Sequence, residues 1–241
     1  MRVLVLGASG ATGKQVVMQL IKRQINTRIL IRETAVLSHE IQDHSLVETV
    51  KGNINELTDS DMSALLHDCT IIISCLGHNV SFKGMFGNPR YLVFDTIKRI
   101  TETIKKDPAK NMKLILMSTT AYTNPLSGEK NSIAEKIIFS FLTLLLPPHR
   151  DNVKAANHLV ITTGQEDKNI NWIAVRPDSL INEMEKSSYE IYESKIRGPL
   201  FNAGKTSRIN VSHFMVELVA DDSKWNQWQY KTPVIYNKDG P

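Results

Sequence analysis

The stretch that most constrains this chain is its first turn. Arg2-Val-Leu-Val-Leu6 is a short apolar run that reads as a strand, and it passes without a spacer into Gly7-Ala-Ser-Gly-Ala-Thr-Gly13. Val16, Val17, Leu20 and Ile21 then follow at helical spacing, so the glycines join a strand to a helix. Glycine is needed there because the turn is tight and because backbone must come close both to a ligand and to the neighbouring strand. The free amides of a helix N-terminus, with the positive end of its dipole, attract phosphate. Gly7, Ser9, Gly10, Ala11, Thr12 and Gly13 are therefore expected to hold the pyrophosphate of NAD(P), the alternative being a glycine turn without a ligand.

The rest of the chain repeats the same alternation. Strand-like runs occur at Val3 to Leu6, Arg28 to Ile31, Val47 to Val50, Thr70 to Cys75, Lys113 to Met117 and Trp172 to Val175. Helical patterns lie between them at Gly13 to Arg23, Thr58 to Leu66 and Tyr91 to Lys105. Near-continuous apolar strands separated by helices imply a parallel sheet covered on both faces. The expected fold is a doubly wound α/β sheet of Rossmann type, one domain over residues 1–241, with a small substrate-side region toward the C-terminus. Gly77 to Pro89 and Thr123 to Asn131 follow strands four and five, on the sheet edge where such folds place their ligand crevice.

Composition narrows the class. At 241 residues, with 41% hydrophobic and 22% charged, the sequence is that of an ordinary globular protein. Cys69 and Cys75 flank one apolar run and, on a strand rising ~3.3 Å per residue, stand too far apart to bridge. Both are read as reduced thiols, and a cytoplasmic location is expected. The opening strand leaves no room for a leader peptide. Ile137 to Leu146, interrupted by Ser140 and Thr143, falls short of the ~20 residues that span a bilayer. It is expected to be a buried or pocket-covering helix, with an exposed partner patch as the alternative. The net charge of +4 comes from scattered Lys and Arg, so nucleic acid and membrane are not expected as partners. A small-molecule substrate is expected, and no oligomeric state is specified.

Strand two ends at Ile31-Arg32-Glu33. An acidic group at this place accepts hydrogen bonds from the adenosine ribose, whereas an arginine pairs with a 2′-phosphate. Arg32 favours NADP, and Glu33 beside it keeps NAD open.

With these residues in view, the chain resembles the short-chain dehydrogenase/reductase superfamily, in its atypical branch of NmrA-like and biliverdin/flavin reductase-like NAD(P)-binding proteins. The resemblance runs through Gly7 to Gly13, Gly52-Asn-Ile-Asn55, Ile73-Ser-Cys-Leu-Gly77, Leu116-Met-Ser-Thr-Thr-Ala-Tyr122, Asn171-Trp-Ile-Ala-Val-Arg-Pro177 and Ser207 to His213. It implies that Asn53 and Ile54 lie at the adenine, with Asn53 standing where the family usually has Asp. It further implies that Cys75, Leu76 and Gly77 run beside the cofactor, that Ser118 is an active-site hydroxyl, and that Pro177 approaches the nicotinamide. Lys154 would hold the nicotinamide ribose.

The family's best-known members pair that lysine with a tyrosine four residues earlier, the general acid. Here that residue is Arg150, which cannot give up a proton. Tyr122, His149 and Ser118 are the alternative proton carriers, each also readable as an ordinary packing, capping or loop residue. No metal-ligand spacing and no nucleophile elbow is present. The leading expectation is an NADPH-dependent oxidoreductase passing hydride to a small, flat, apolar acceptor such as a quinone or flavin. A non-catalytic NADP(H)-binding regulator of NmrA-like type comes second, and a sugar-nucleotide epimerase or dehydratase last. The apolar excess of Ser132 to Leu146 is expected either to wall an acceptor pocket with Phe139, Phe141 and Leu142 or to be plain core.

Overall fold

Alternation along each strand decides how the protein is layered. In the computed structural model, which describes residues 1–78, 87, 89–107 and 109–238, odd-numbered Val3, Val5, Ile71, Ile73, Ile115 and Ile173 belong to one core. Even-numbered Leu4, Leu6, Ile72, Leu114, Leu116 and Trp172 belong to the other. A strand buried on both faces must be apolar at every position, which is why these runs are unbroken.

The strands are β1 (Arg2–Leu6), β2 (Asn26–Ile31), β3 (Val47–Lys51), β4 (Ile71–Ser74), β5 (Met112–Met117), β6 (Ile170–Pro177), β7 (Ser179–Ile181), β8 (Tyr189–Tyr192), β9 (Lys205–Ser207) and β10 (Val234–Asn237). Eight of them form one sheet in the order β3-β2-β1-β4-β5-β6-β10-β8, and β7 pairs with β9 separately. All the large-sheet pairings are parallel except β10 with β8. The fold is thus a single Rossmann-like α/β domain, with an antiparallel edge that the six apolar runs did not announce. The C-terminal strand β8, Tyr-Glu-Ile-Tyr, has no clean apolar run, and the buried part of β10 is only Val234, Ile235 and Tyr236, so both escape a hydropathy reading.

The helices are α1 (Ala11–Lys22), α2 (His39–Gln42), α3 (Asp59–Leu65), α4 (Leu92–Lys105), α5 (Ile133–Leu145), α6 (Pro147–Asn157), α7 (Arg208–Ala220) and α8 (Asp222–Trp228). On the odd face α1 supplies Val16, Val17 and Leu20, and α7 supplies Phe214, Met215 and Leu218. On the even face α3 supplies Met62 and Leu65, α4 supplies Val93, Ile97 and Ile100, and α6 supplies Ala155 and Ala156.

Three buried charges tie these layers together. Arg28 on β2 points at the end of α3, donating to the carbonyls of Leu65 at 2.9 Å and His67 at 2.6 Å, with Glu48 at 3.0 Å. A cation at a helix C-terminus meets the carbonyls the helix leaves unpaired. Asp151 on α6 accepts at 2.8 Å from the backbone N–H of both Val93 and Phe94, capping α4, whose own N-cap residue Tyr91 makes no side-chain cap. Arg176 on β6, fully buried, donates to both carboxylate oxygens of Glu129 at 2.6 and 2.7 Å and to the carbonyls of Tyr122 and Thr232. Glu129 also accepts from the N–H groups of Asn124 and Lys195. The loop after β5 is thereby bolted to β6 and to the segment after β8.

Burial alone would push the Glu129 carboxyl up, but hydrogen bonds and charge from Arg176 outweigh it and hold the group below its ordinary value of 4.5. Glu129→Gln leaves a buried guanidinium without its counter-charge and should cost roughly 3 kcal/mol of stability, read by chemical denaturation at pH 7. Because the folded value is depressed, the contribution is complete above the unfolded value and is lost as pH falls through the folded one. The gap between wild type and variant should therefore narrow on acidification. An equal gap at every pH would show that Glu129 acts through shape and not charge.

Candidate cofactor and active site

The glycine turn leaves no space for side chains. Gly7 has φ +77°, and a Cβ on it would sit 2.6 Å from the Cys75 carbonyl oxygen at the end of β4. A Cβ on Gly13 would lie 2.1 Å from the carbonyl oxygen of Gly7. Gly10, the N-cap of α1, supplies no side-chain acceptor, so the first-turn amides of that helix are left to a ligand or solvent. A backbone cradle at a helix N-terminus fits a pyrophosphate by shape and by charge.

Around that turn lies a groove of about 300 Å³. Gly7, Ser9 and Gly10 line it from the ends of β1 and α1, Arg32 from β2, and Gly52, Asn53, Ile54 and Asn55 from the turn after β3. Cys75, Leu76, Gly77 and His78 line it from the end of β4, with Pro89 and Leu92 beside the start of α4. In strand order Arg32 and Asn53 therefore stand on one side of β1 and His78 on the other.

Most of the residues expected at the cofactor meet in this one groove. Ala11, Thr12 and Gly13 form the first turn of α1 beneath it. Arg32 is exposed and has no partner among the described residues, whereas Glu33 faces Lys51 at 3.9 Å. Asn53 is held by its neighbours: its amide donates to Glu56 at 2.6 Å and its oxygen accepts from the N–H of Asn55. Cys75 is buried, and burial pushes its thiol up to about 12. Both cysteines are free.

The residues expected to do chemistry are placed elsewhere. Ser118, whose N–H donates to the Val175 carbonyl at 2.7 Å, and Tyr122 are buried just past β5, each with a hydroxyl that finds no partner among the described residues. Burial pushes the Tyr122 phenol up to about 12. Pro177 closes β6, and its carbonyl accepts from the Thr120 N–H. Lys154 holds its ammonium 4.4 Å above the Tyr91 ring and 5.5 Å from that of Phe94, and Arg150 lies over Tyr91 as well. His149 stacks on Phe139 at 5.5 Å, and burial lowers its basicity. Ser118, Tyr122, His149, Lys154 and Pro177 do not line the groove.

Nor does the wall expected from Ser132 to Leu146 form as a unit. Phe139 is buried and Phe141 is 59% exposed, so the three residues are neither common core nor the lining of a described cavity. The loop expected to face them, Gly77 to Pro89, lies outside the described residues at 79–86 and 88. Among the described residues no helix is long and apolar enough to cross a membrane, and no cluster of three or more His, Cys, Asp or Glu can hold a metal ion.

Sequence reading missed His78 and Asp151. They are 2.7 Å apart, Nε2 to Oδ2, yet 73 positions separate them in the chain. One local signal existed: α4 begins without a Ser, Thr, Asp or Asn cap, so its orphan amides required an acceptor from another element.

The chain belongs to the NAD(P)H-binding family, whose model matches residues 7–222. It therefore binds NAD(P)H through a Rossmann-like domain, in keeping with the resemblance to atypical short-chain dehydrogenase/reductases. No curated protein matches it in sequence. Solved structures share the fold at low identity. A wide-type short-chain dehydrogenase/reductase from Veillonella parvula DSM 2008, in complex with NADP, is 16% identical, with 100% of this chain and 98% of that one covered and a TM-score of 0.67. ChuY, an anaerobillin reductase from Escherichia coli O157:H7, is 16% identical over 100% and 99% of the two chains, with a TM-score of 0.66. The oxidoreductase ylbE from Lactococcus lactis is 16% identical over 99% and 92%, with a TM-score of 0.64.

Gly13→Ala should test the cradle directly, because backbone meets backbone there and no side chain can give way. The expected result is at least a tenfold rise in the NADPH dissociation constant, ~1.4 kcal/mol, in a fluorescence titration. Unchanged affinity would mean that the cofactor's phosphates do not rest on this turn.

Proposed function

We propose that this protein is an NADPH-dependent oxidoreductase that passes hydride to a small, flat, apolar acceptor of the quinone or flavin kind. The observation that carries the reading is the groove itself. It runs from an unpaired guanidinium at Arg32, across a bare backbone cradle, to a side at His78, Pro89 and Leu92. A 2′-phosphate suits Arg32, whose planar fork and permanent charge match phosphate oxygens. Gly7 to Gly13 would hold the pyrophosphate, and the nicotinamide would then extend toward β4.

When bound, the cofactor supplies the hydride chemistry, and the protein's part is to position the acceptor and keep water out. The reductase activity named for ChuY and the NADP bound by the Veillonella enzyme support this direction by fold likeness. The buried thiols and the positions of Cys69 and Cys75 suit a reducing, cytoplasmic setting.

A second reading has one observation in its favour. Arg150, four residues before Lys154, rests on the Tyr91 ring and cannot act as the tyrosine acid of related enzymes. A protein that binds NADP(H) and signals its redox state to a partner needs no such acid.

Arg32→Ala should lose roughly 1.5 to 3 kcal/mol of NADPH affinity, while NADH binding barely changes. Equal losses for the two cofactors would give Arg32 a structural role instead. The two readings part when the protein is mixed with NADPH and a panel of quinones, flavins and tetrapyrroles and the reduced nicotinamide absorbance is followed. Turnover above background supports the oxidoreductase; tight binding with none on any acceptor supports the regulator.

A further inference from the structure

The turn between β3 and α3 carries Gly52, Asn53, Ile54 and Asn55 to the groove. Irregular chain of this kind has no ladder or helix to answer its backbone polar groups, so its shape depends on partners from elsewhere. The two ends are fixed close by. The Gly52 N–H donates to the Ile31 carbonyl at 2.9 Å, and Thr58 with Asp61 forms a capping box where α3 begins. The middle is held from across the fold. Arg99, half-buried on α4, donates to the Ile54 carbonyl at 2.9 Å through one terminal nitrogen and to the Leu57 carbonyl at 2.5 Å through the other.

What these bonds fix is direction. The Ile54 side chain already packs in the even-face core, but apolar contact is non-directional and leaves the peptide planes free to turn. A trans peptide is planar, with its C=O and the following N–H pointing in opposite directions. Holding the Ile54 carbonyl on Arg99 therefore aims the Asn55 N–H away from Arg99, and that N–H donates to Asn53 Oδ1 at 3.3 Å. The Asn53 amide nitrogen donates in turn to Glu56 at 2.6 Å. Through one peptide plane, a guanidinium on α4 thus sets the side chain that the turn presents in the groove. The planar fork matters, since two donors at a fixed spacing hold two carbonyls, whereas an ammonium is a point charge on a flexible stem.

We propose that Arg99 is a positioning residue for the adenosine end of NAD(P)H, acting through the turn after β3. The inference rests on the cofactor lying with its 2′-phosphate at Arg32, as proposed above, and it holds whether the bound cofactor passes its hydride on or only reports redox state. Arg99 keeps the turn in its binding shape before the cofactor arrives. Without it the ligand must order the turn itself, and affinity falls with the fraction of molecules that hold the shape.

The test uses adenosine 2′,5′-bisphosphate, which carries the adenosine half of NADPH without the nicotinamide, in calorimetric titration beside NADPH itself. Arg99→Met keeps the aliphatic stem and removes both donors, so the dissociation constants for both ligands should rise about tenfold or more. Arg99→Lys should fall between, at about threefold or more, and carries the test alone if thermal unfolding shows that Arg99→Met does not fold. Glu129→Gln, which loosens the fold away from the groove lining, should leave both constants within about twofold, so that a rise reports the turn and not general destabilisation. In an Asn53→Ala background the Arg99→Met effect should shrink to less than about threefold, because the side chain it positions is gone.

A folded Arg99→Met protein that binds the bisphosphate like wild type overturns the proposal. So does an equal rise in Glu129→Gln, or an Arg99→Met effect undiminished by Asn53→Ala, either of which makes Arg99 a structural residue only. A wild-type protein that does not bind the bisphosphate, or binds it as well after Arg32→Ala, overturns the cofactor's lie and this inference with it. Binding that falls on Arg32→Ala but is indifferent to Arg99 leaves that lie standing and removes the role of Arg99 alone.

Discussion

The close approach of β1 to β4 beneath the glycine turn is the constraint on which this structure depends. Parallel strands lie about 4.8 Å apart, so a chain leaving β1 for a helix must turn directly over the end of its neighbour. Here the Gly7 backbone passes so near the Cys75 carbonyl that a methyl group would overlap it. The Gly13 backbone is nearer still to Gly7, and the same squeeze that seats α1 on the sheet leaves its first amides bare. The packing that seats α1 and the bare amides that a phosphate would need are consequently one geometric fact. The groove lies where the β1 turn, the ends of β2 and β4 and the turn after β3 meet.

Buried charge does a second kind of work. A fully buried ionic group is costly unless every polar atom is answered, and breaking one partner is worse than never having the pair. Arg28, Asp151 and Arg176 each answer main-chain groups from other elements rather than merely an opposite charge. Arg28 fastens α3 to the sheet, Asp151 fastens α6 to α4, and Arg176 fastens the loop after β5 to the C-terminal edge. Such contacts specify one arrangement among those that hydrophobic packing alone allows, since carbonyl and amide directions must match as well as volumes.

The same packing decides where the candidate proton carriers lie. At the position where the resemblance implies a tyrosine, Arg150 rests on an aromatic ring, and the alternative carrier Tyr122 is buried with its phenol pushed up to about 12. His149 is stacked against Phe139. The imidazole at the groove is instead carried by the loop after β4 and steadied from α6. Helix α6 brings a carboxylate that caps α4 and contacts the His78 ring.

The sequence by itself determined the sheet and the cradle. Apolar runs longer than one face requires mean strands buried on both sides, which placed β1, β2, β4, β5 and β6 within a residue or two, and alternation with helices added the half-buried β3. The glycines between a strand and a helix located the tight turn at the groove, and Arg32 and Asn53 fell into the same groove because strand ends follow from strand positions. Hydropathy did not reach β8, the edge strand, where one-sided burial relaxes the pattern, nor β10, whose buried Val234, Ile235 and Tyr236 make too short a run to stand out. Nor did it reach the chemistry. Family spacing directed attention to Lys154 and titration range to His149, and only the packing of α6 against α4 and α5 shows the first over Tyr91 and the second against Phe139. His78 and Asp151, 73 residues apart, become partners only when β4, α4 and α6 meet. Local spacing records what a helix or turn needs from its own residues, whereas an acceptor borrowed from another element leaves no periodic trace.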